Sequence, residues 1–176
     1  MQAISTDRIY HPNVFVGVGA NLDEPAAQVE KALAAMSGID ATQLIRRSSL
    51  YGSPPMGPPD QPDYVNAVAQ LATNLSAIRL LAELQAIENQ FGRVRLSERW
   101  GPRVIDLDLL LFDGQIINSD QLTVPHPGML ARSFVIQPLL EIAPEIELPN
   151  GQTVAASCER FSETDCWIIQ RADAQP

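Results

Sequence analysis

Apolar and polar positions alternate from Asn13 to Gly19 (NVFVGVG), a period of two that predicts a β-strand. Asp23 and Pro25 then open a helical stretch, PAAQVEKALAAMSG, that Gly38 closes. A second strand is expected near Thr42 to Leu50. The segment GSPPMGPPDQPD, residues 52 to 63, holds five prolines and reads as a long loop of the kind that usually carries function. Tyr64 to Ala72 predicts a third strand. Ser76 to Phe91 predicts an amphipathic helix, apolar at Ile78, Leu81, Leu84, Ile87 and Phe91 and stopped by Gly92. The strand Val104 to Phe112 follows, and Asp113-Gly114 predicts a hairpin turn into QIIN. A PHPG turn and a short helix around Phe134 to Ile142 come next, and the tail carries no clear pattern.

The order β-α-β-β-α-β is that of a ferredoxin-like α+β sandwich, here with additional C-terminal elements. Two helices would cover one face of its sheet, leaving the other face for a site. The 176 residues fit one domain, with no repeat or low-complexity segment. No apolar run reaches the ~18 residues of a membrane span, and the N-terminus lacks the pattern of a secretory signal. Cys158 and Cys166 match no metal-ligand spacing, and the expectation is two thiols in a reducing cytoplasm.

The net charge of −9 argues against nucleic-acid binding. Only one of the twelve basic residues is a lysine, and Arg93, Arg95, Arg99 and Arg103 crowd into GRVRLSERWGPR. A dense arginine patch on an acidic protein fits either a small anionic ligand or a solvated loop paired with scattered carboxylates. The next segment decides between them. In VIDLDLLLF, side chains two apart share a strand face, so Asp106 and Asp108 project together, roughly 7 Å apart, while Ile105, Leu107 and Leu109 enter the core. Two neighbouring carboxylates need a positive partner, either arginine or a divalent metal. Oxygen ligands without a Cys/His set favour magnesium, which takes one or two carboxylates plus substrate phosphates. Phosphoryl-type chemistry also gives the arginines a role. With no P-loop and no kinase-type glycine loop, a nucleotide would be held by side chains and metal.

GRVRLSERWGPRVIDLDLLLF closely resembles the signature of the hydroxymethyldihydropterin pyrophosphokinase family of folate synthesis. VGVGANL, SPPMGPPDQPDYVNAV, LTVPHP and EIAPEIELPNG resemble its other blocks in the same order, a match over about residues 13–160 that leaves out a leader, 1–12, and a tail, 161–176. The resemblance implies a monomeric, cytoplasmic enzyme that moves pyrophosphate from ATP, its co-substrate, to 6-hydroxymethyl-7,8-dihydropterin. Asp106 and Asp108 would hold two magnesium ions. Arg93, Arg95, Arg103 and Arg132 would contact the phosphates, the first three of them catalytic. Gln85, Glu88, Leu109, Thr123 and His126 would line the nucleotide site. Ser53, Pro54, Pro55, Met56, Tyr64, Asn66 and Phe134 would form the pterin pocket, and Trp100 would serve both ligands. Leu96, Gln121 and Pro127 depart from residues common in the family.

Two other classes share parts of this pattern. A two-metal nucleotidyl transferase or cyclase also uses paired aspartates on such a sheet. The proline loop and Trp100 favour a small planar acceptor instead. A regulatory binding module of the same fold would not need two aspartates beside four arginines. Taken singly, Tyr64 and Phe134 would be core aromatics, Trp100 a loop anchor, Glu88 a solvated residue and His126 a turn histidine.

Overall fold

The computed structural model describes residues 10–58, 60–92, 102–162 and 164–172. One antiparallel sheet organises the chain, in the order β5-β1-β4-β3-β8, with β2 also paired to β4. Its strands are β1 (His11–Ala20), β2 (Thr42–Arg47), β3 (Leu50–Ser53), β4 (Tyr64–Thr73), β5 (Asp106–Phe112) and β8 (Trp167–Gln170). The helices are α1 (Pro25–Met36), α2 (Ala77–Gln90) and α3 (Ser133–Ile142). A separate two-stranded ribbon joins β6 (Ile117–Asn118) to β7 (Thr123–Val124).

Strand alternation divides the apolar residues between two cores. Val14, Val16, Val18 and Ala20 of β1 pack with Val65, Ala67, Ala69 and Leu71 of β4 and with Leu107 and Leu109 of β5. Helices α1 and α2 close this core with Val29, Leu33, Met36, Leu80, Leu84 and Ile87. Each such fully buried aliphatic side chain contributes about 1.5–3 kcal/mol over its exposed state. Phe15, Val68, Leu110 and Leu111 pack on α3 through Val135, Ile136, Leu139 and Ile142. A register shift between Phe15 and Val16 against β5 lets the consecutive residues Leu110 and Leu111 both enter this second core. The sheet is therefore covered on both faces, with α3 over only part of its face.

Several elements differ from the sequence pattern. The strand expected over 42–50 is interrupted at the buried Ser48 and Ser49, which separate β2 from β3. Ser48 receives the Val68 N–H on its Oγ, and the Ser49 N–H and hydroxyl both donate to Glu141 of α3. Helix α2 starts where Ser76 caps it, yet its buried face runs through Ala77, Leu80, Leu84 and Ile87, and Ile78 is exposed. Asp113 and Gly114 do turn with positive φ, but the residues after them pair with β7 instead of returning on β5. The tail, unplaced by pattern, forms a 3-10 helix at Ala155–Arg160 and the edge strand β8. No helix among the described residues is long and apolar enough to cross a membrane.

Candidate active site

A row of paired residues crosses the sheet on the α3 side. Asp106 of β5 faces Gly19 of β1, Gly19 faces Asn66 of β4, and Asn66 faces Tyr51 of β3. One step along, Asp108 faces Gly17, which faces Val68. Two glycines in the central strand thus leave a trough between the carboxylates and Asn66. A Cβ at Gly19 would stand 3.2 Å from the Asn66 amide oxygen, so the trough exists because that position is glycine. It is the floor of an open cleft of about 670 Å³, mouth included.

The walls come from three places. Ser53, Pro54, Met56 and Gly57 lead out of β3 on one side, with Tyr64 and Asn66 on β4. Phe134 and Val135, at the start of α3, stand opposite, where α3 does not cover the sheet. Arg103, Asp106, Asp108 and Arg132 line the polar end. Asn66 is buried and its amide donates to Ser53 Oγ at 3.0 Å. Burial also pushes the Tyr64 hydroxyl above its ordinary pKa, which leaves it a neutral hydrogen-bonding group.

Each carboxylate has its own basic neighbours. Asp106 is bonded to Arg103, three residues back on the segment entering β5. Asp108 lies 3.6 Å from Arg132 and 3.8 Å from His126 Nε2. Burial first, and repulsion from Asp106 second, push the Asp108 carboxyl above the usual carboxylate range. Burial pulls His126 below its ordinary value, and the Gly128 N–H donates to its Nδ1, so the neutral ring carries its proton on Nε2, toward Asp108.

The donor set fits magnesium. Two hard carboxylates share one strand face and open onto the cleft, and neither cysteine lines it. Among the described residues no group of three or more His, Cys, Asp or Glu could hold a metal. A metal at the two aspartates would therefore need ligands from a bound substrate, which is how magnesium is usually held beside phosphates.

The remaining expected residues divide as follows. Arg93, Arg95 and Trp100, with Leu96, lie outside the described residues. Pro55 sits beside the cleft without lining it. Glu88 and His126 flank β5, an edge strand: Glu88 accepts the Leu107 N–H at 2.8 Å, and the His126 N–H donates to the Leu110 carbonyl; Gln85 lies on α2 and Thr123 on β7, the two elements that pack along that strand. Glu88 is almost fully buried, not a solvated helix residue. Leu109 is buried among α1 and α2, because alternation turns it away from the face that carries Asp108. Sequence reasoning missed Asn21. Its Oδ1 accepts the Arg103 N–H at 2.7 Å, and its own N–H donates to the Arg103 carbonyl at 3.0 Å. Its side-chain amide donates to Gln61 and to the Pro62 carbonyl in the proline loop. An asparagine directly after a buried alternating strand was the available signal.

Comparison with known proteins gives a consistent match. A family model described as 7,8-dihydro-6-hydroxymethylpterin-pyrophosphokinase matches residues 15–144. A 2-amino-4-hydroxy-6-hydroxymethyldihydropteridine pyrophosphokinase from Haemophilus influenzae is 50% identical over 149 residues, 85% of this chain and 92% of the relative. The protein of that name from Pseudomonas aeruginosa is 50% identical over 139 residues, 79% of this chain and 85% of the relative. Among solved structures, the wild-type HPPK-DHPS of Plasmodium falciparum with pteroate superposes with a TM-score of 0.68. The identity there is 12%, so the likeness is one of fold; it covers 86% of this chain and 42% of the solved one.

Proposed function

This chain belongs to the 7,8-dihydro-6-hydroxymethylpterin-pyrophosphokinase family, and from that premise we propose that it transfers the pyrophosphoryl group of ATP to 6-hydroxymethyl-7,8-dihydropterin, a step of folate synthesis. The observation that carries the reading is the cleft itself. A buried amide and aromatic walls lie at one end, and two aspartates with two arginines lie at the other. A flat, apolar-faced ring with an amide-like edge suits the first end, and a chain of phosphates suits the second.

In this reading the pterin stacks between Tyr64 and Phe134, and Asn66 with the backbone after Ser53 reads its amide-like edge. Pro54, Pro55, Met56 and Trp100 complete the enclosure. Arg103 and Arg132 bind the phosphates, joined by Arg93 and Arg95. Gln85, Glu88, Leu109, Thr123 and His126 belong to the nucleotide side, along the β5 edge. Asp106 and Asp108 would hold two magnesium ions, which supply charge neutralisation along the triphosphate and lower the pKa of the pterin hydroxyl.

The reaction forms a bond from the hydroxymethyl oxygen to the β-phosphorus and breaks the bond from that phosphorus to the oxygen bridging it to the α-phosphorus. AMP leaves with the bridging oxygen, and the hydroxyl proton is lost. The arginines stabilise charge that grows on the phosphoryl oxygens during transfer. The strand order β5-β1-β4-β3 supports the ferredoxin-like βαββαβ sandwich, with β2 and β3 together standing for its second strand. The chain acts as a cytoplasmic monomer on two small ligands. Incubation with ATP, magnesium and the pterin, followed by mass analysis, tests the reading. AMP and the pterin diphosphate are expected in equal amounts; ADP or free pyrophosphate would overturn it.

A further inference from the structure

The family match ends at residue 144, yet the segment after it touches both walls of the cleft. Strand β8 adds to β3 in antiparallel register, with Leu50 facing Gln170, Tyr51 facing Ile168 and Gly52 facing Trp167. The Trp167 indole lies on the Gly52 backbone so closely that a Cβ there would stand 2.5 Å from its Cε2 and Nε1. Gly52 immediately precedes Ser53, whose hydroxyl holds the Asn66 amide. This contact fixes the point at which the chain leaves β3 for the proline loop.

The same segment reaches the opposite wall. Ser133, the first residue of α3, donates its hydroxyl to the Asp165 carbonyl at 3.0 Å. No side chain caps α3, so this bond is a tether at the end that carries Phe134. Between the two anchor points Cys166 is buried. At the far end the Ala172 N–H donates to Ser49 Oγ, and the Ser49 hydroxyl itself bonds Glu141 of α3. None of residues 165–172 lines the cleft. Whatever this segment does to a ligand, it does through β3 and α3.

We propose that Asp165–Ala172 is a clamp that sets the separation of the two cleft walls, with Trp167 on Gly52 as its positioning residue. The inference rests on the reading of that cleft as the pterin pocket. Its effect is selective: the walls it joins are those of the aromatic end, while Asp106 and Asp108 stand on β5, with three strands between it and β8. Loss of the clamp therefore weakens pterin binding and leaves nucleotide binding and the chemical step largely unchanged.

The experiment uses Trp167→Ala in the full chain, with two readouts. Amide exchange in the free protein is expected to quicken at least ~10-fold in residues 52–57 and 133–136, since local opening there would no longer break the indole contact. Pterin Kd and KM are expected to rise at least ~10-fold, with kcat and the KM for ATP within about twofold of the parent. Unchanged exchange would overturn the clamp. Faster exchange with unchanged pterin Kd would overturn its positioning role and leave a merely structural one. Parent protein that bound ATP but no pterin would overturn the reading of the cleft, while exchange still judged the clamp. Gly52→Ala provides a second route, because its methyl group displaces the indole. Alone it should weaken pterin binding, and in the double variant it should add less than twofold to the Trp167→Ala effect. Full additivity would show that the two residues act separately and would overturn the proposal.

Discussion

Arg132 and Asp108 face each other at 3.6 Å from different structural layers, the arginine before α3 and the aspartate on the sheet. The guanidinium also lies against Gly128, where an added Cβ would meet its terminal nitrogen at 3.0 Å. A planar fork pressed onto backbone is aimed, whereas a lysine ammonium in its place would be a flexible point charge. Arg132→Lys is expected to lower kcat/KM for ATP by roughly 10- to 100-fold, and Gly128→Ala to shift it in the same direction by less. Steady-state kinetics with both ligands varied would check this, and a lysine variant with parental kinetics would show that only charge matters there.

Asp106→Asn and Asp108→Asn should each reduce kcat at least ~100-fold, as expected for removal of a ligand from the charge-stabilising centre. The free protein should nevertheless melt no lower with Asn at position 108. Burial and repulsion from Asp106 already disfavour that charge, so its loss relieves a cost. Calorimetry without nucleotide measures the second effect. A large fall in Tm would mean that the pairing with Arg132 and His126 outweighs the repulsion.

Glu88 is 2% exposed and receives the Leu107 N–H on the edge strand. Glu88→Ala leaves that buried amide short of its acceptor, at a cost of about 1–3 kcal/mol of stability. Glu88→Gln keeps an acceptor oxygen and should cost less. Urea midpoints for the two variants would rank them, and parental stability of the alanine variant would remove the structural role.

Strand-like sequence found β1, β4 and β5, and period-two alternation put Asp106 and Asp108 on one face, because side-chain direction in a strand is local geometry. It did not find the break at Ser48-Ser49, where the cause is a carboxylate on α3 more than 90 residues away. It set Ile78 in the apolar stripe of α2 because a stripe read from sequence has no partner surface to fix its centre. Strand β8 was invisible for a related reason: WIIQ is exposed throughout and is a strand only because β3 offers it an edge. Asn21 was not singled out because its side-chain partners come from distant segments of the chain.

Cys166 is 3% exposed, and burial pushes its thiol up to about 12. At pH 8 its thiolate is then roughly one part in ten thousand, far below an ordinary cysteine. Of the two cysteines, Cys158 is expected to take iodoacetamide first, with Cys166 modified only on unfolding. Peptide mapping after timed alkylation would check the order. Equal rates would show that the segment around Cys166 leaves the body of the protein readily.

Asn21 gives one side chain to two masters. Its amide nitrogen holds the proline loop at Gln61 and Pro62, and its oxygen holds the backbone of Arg103 beside Asp106. An amide is rigid, so a rotation that follows one loop withdraws from the other. The proline loop and the segment that carries Arg103 are therefore joined through a single planar group, which in the proposed reading lies between the pterin end and the phosphate end of the cleft. Such linkage is reciprocal: by whatever factor a bound nucleotide tightens the hold on pterin, bound pterin tightens the hold on nucleotide. Under the proposed function, one buried asparagine at the end of β1 would thus give the two substrates a shared point of contact.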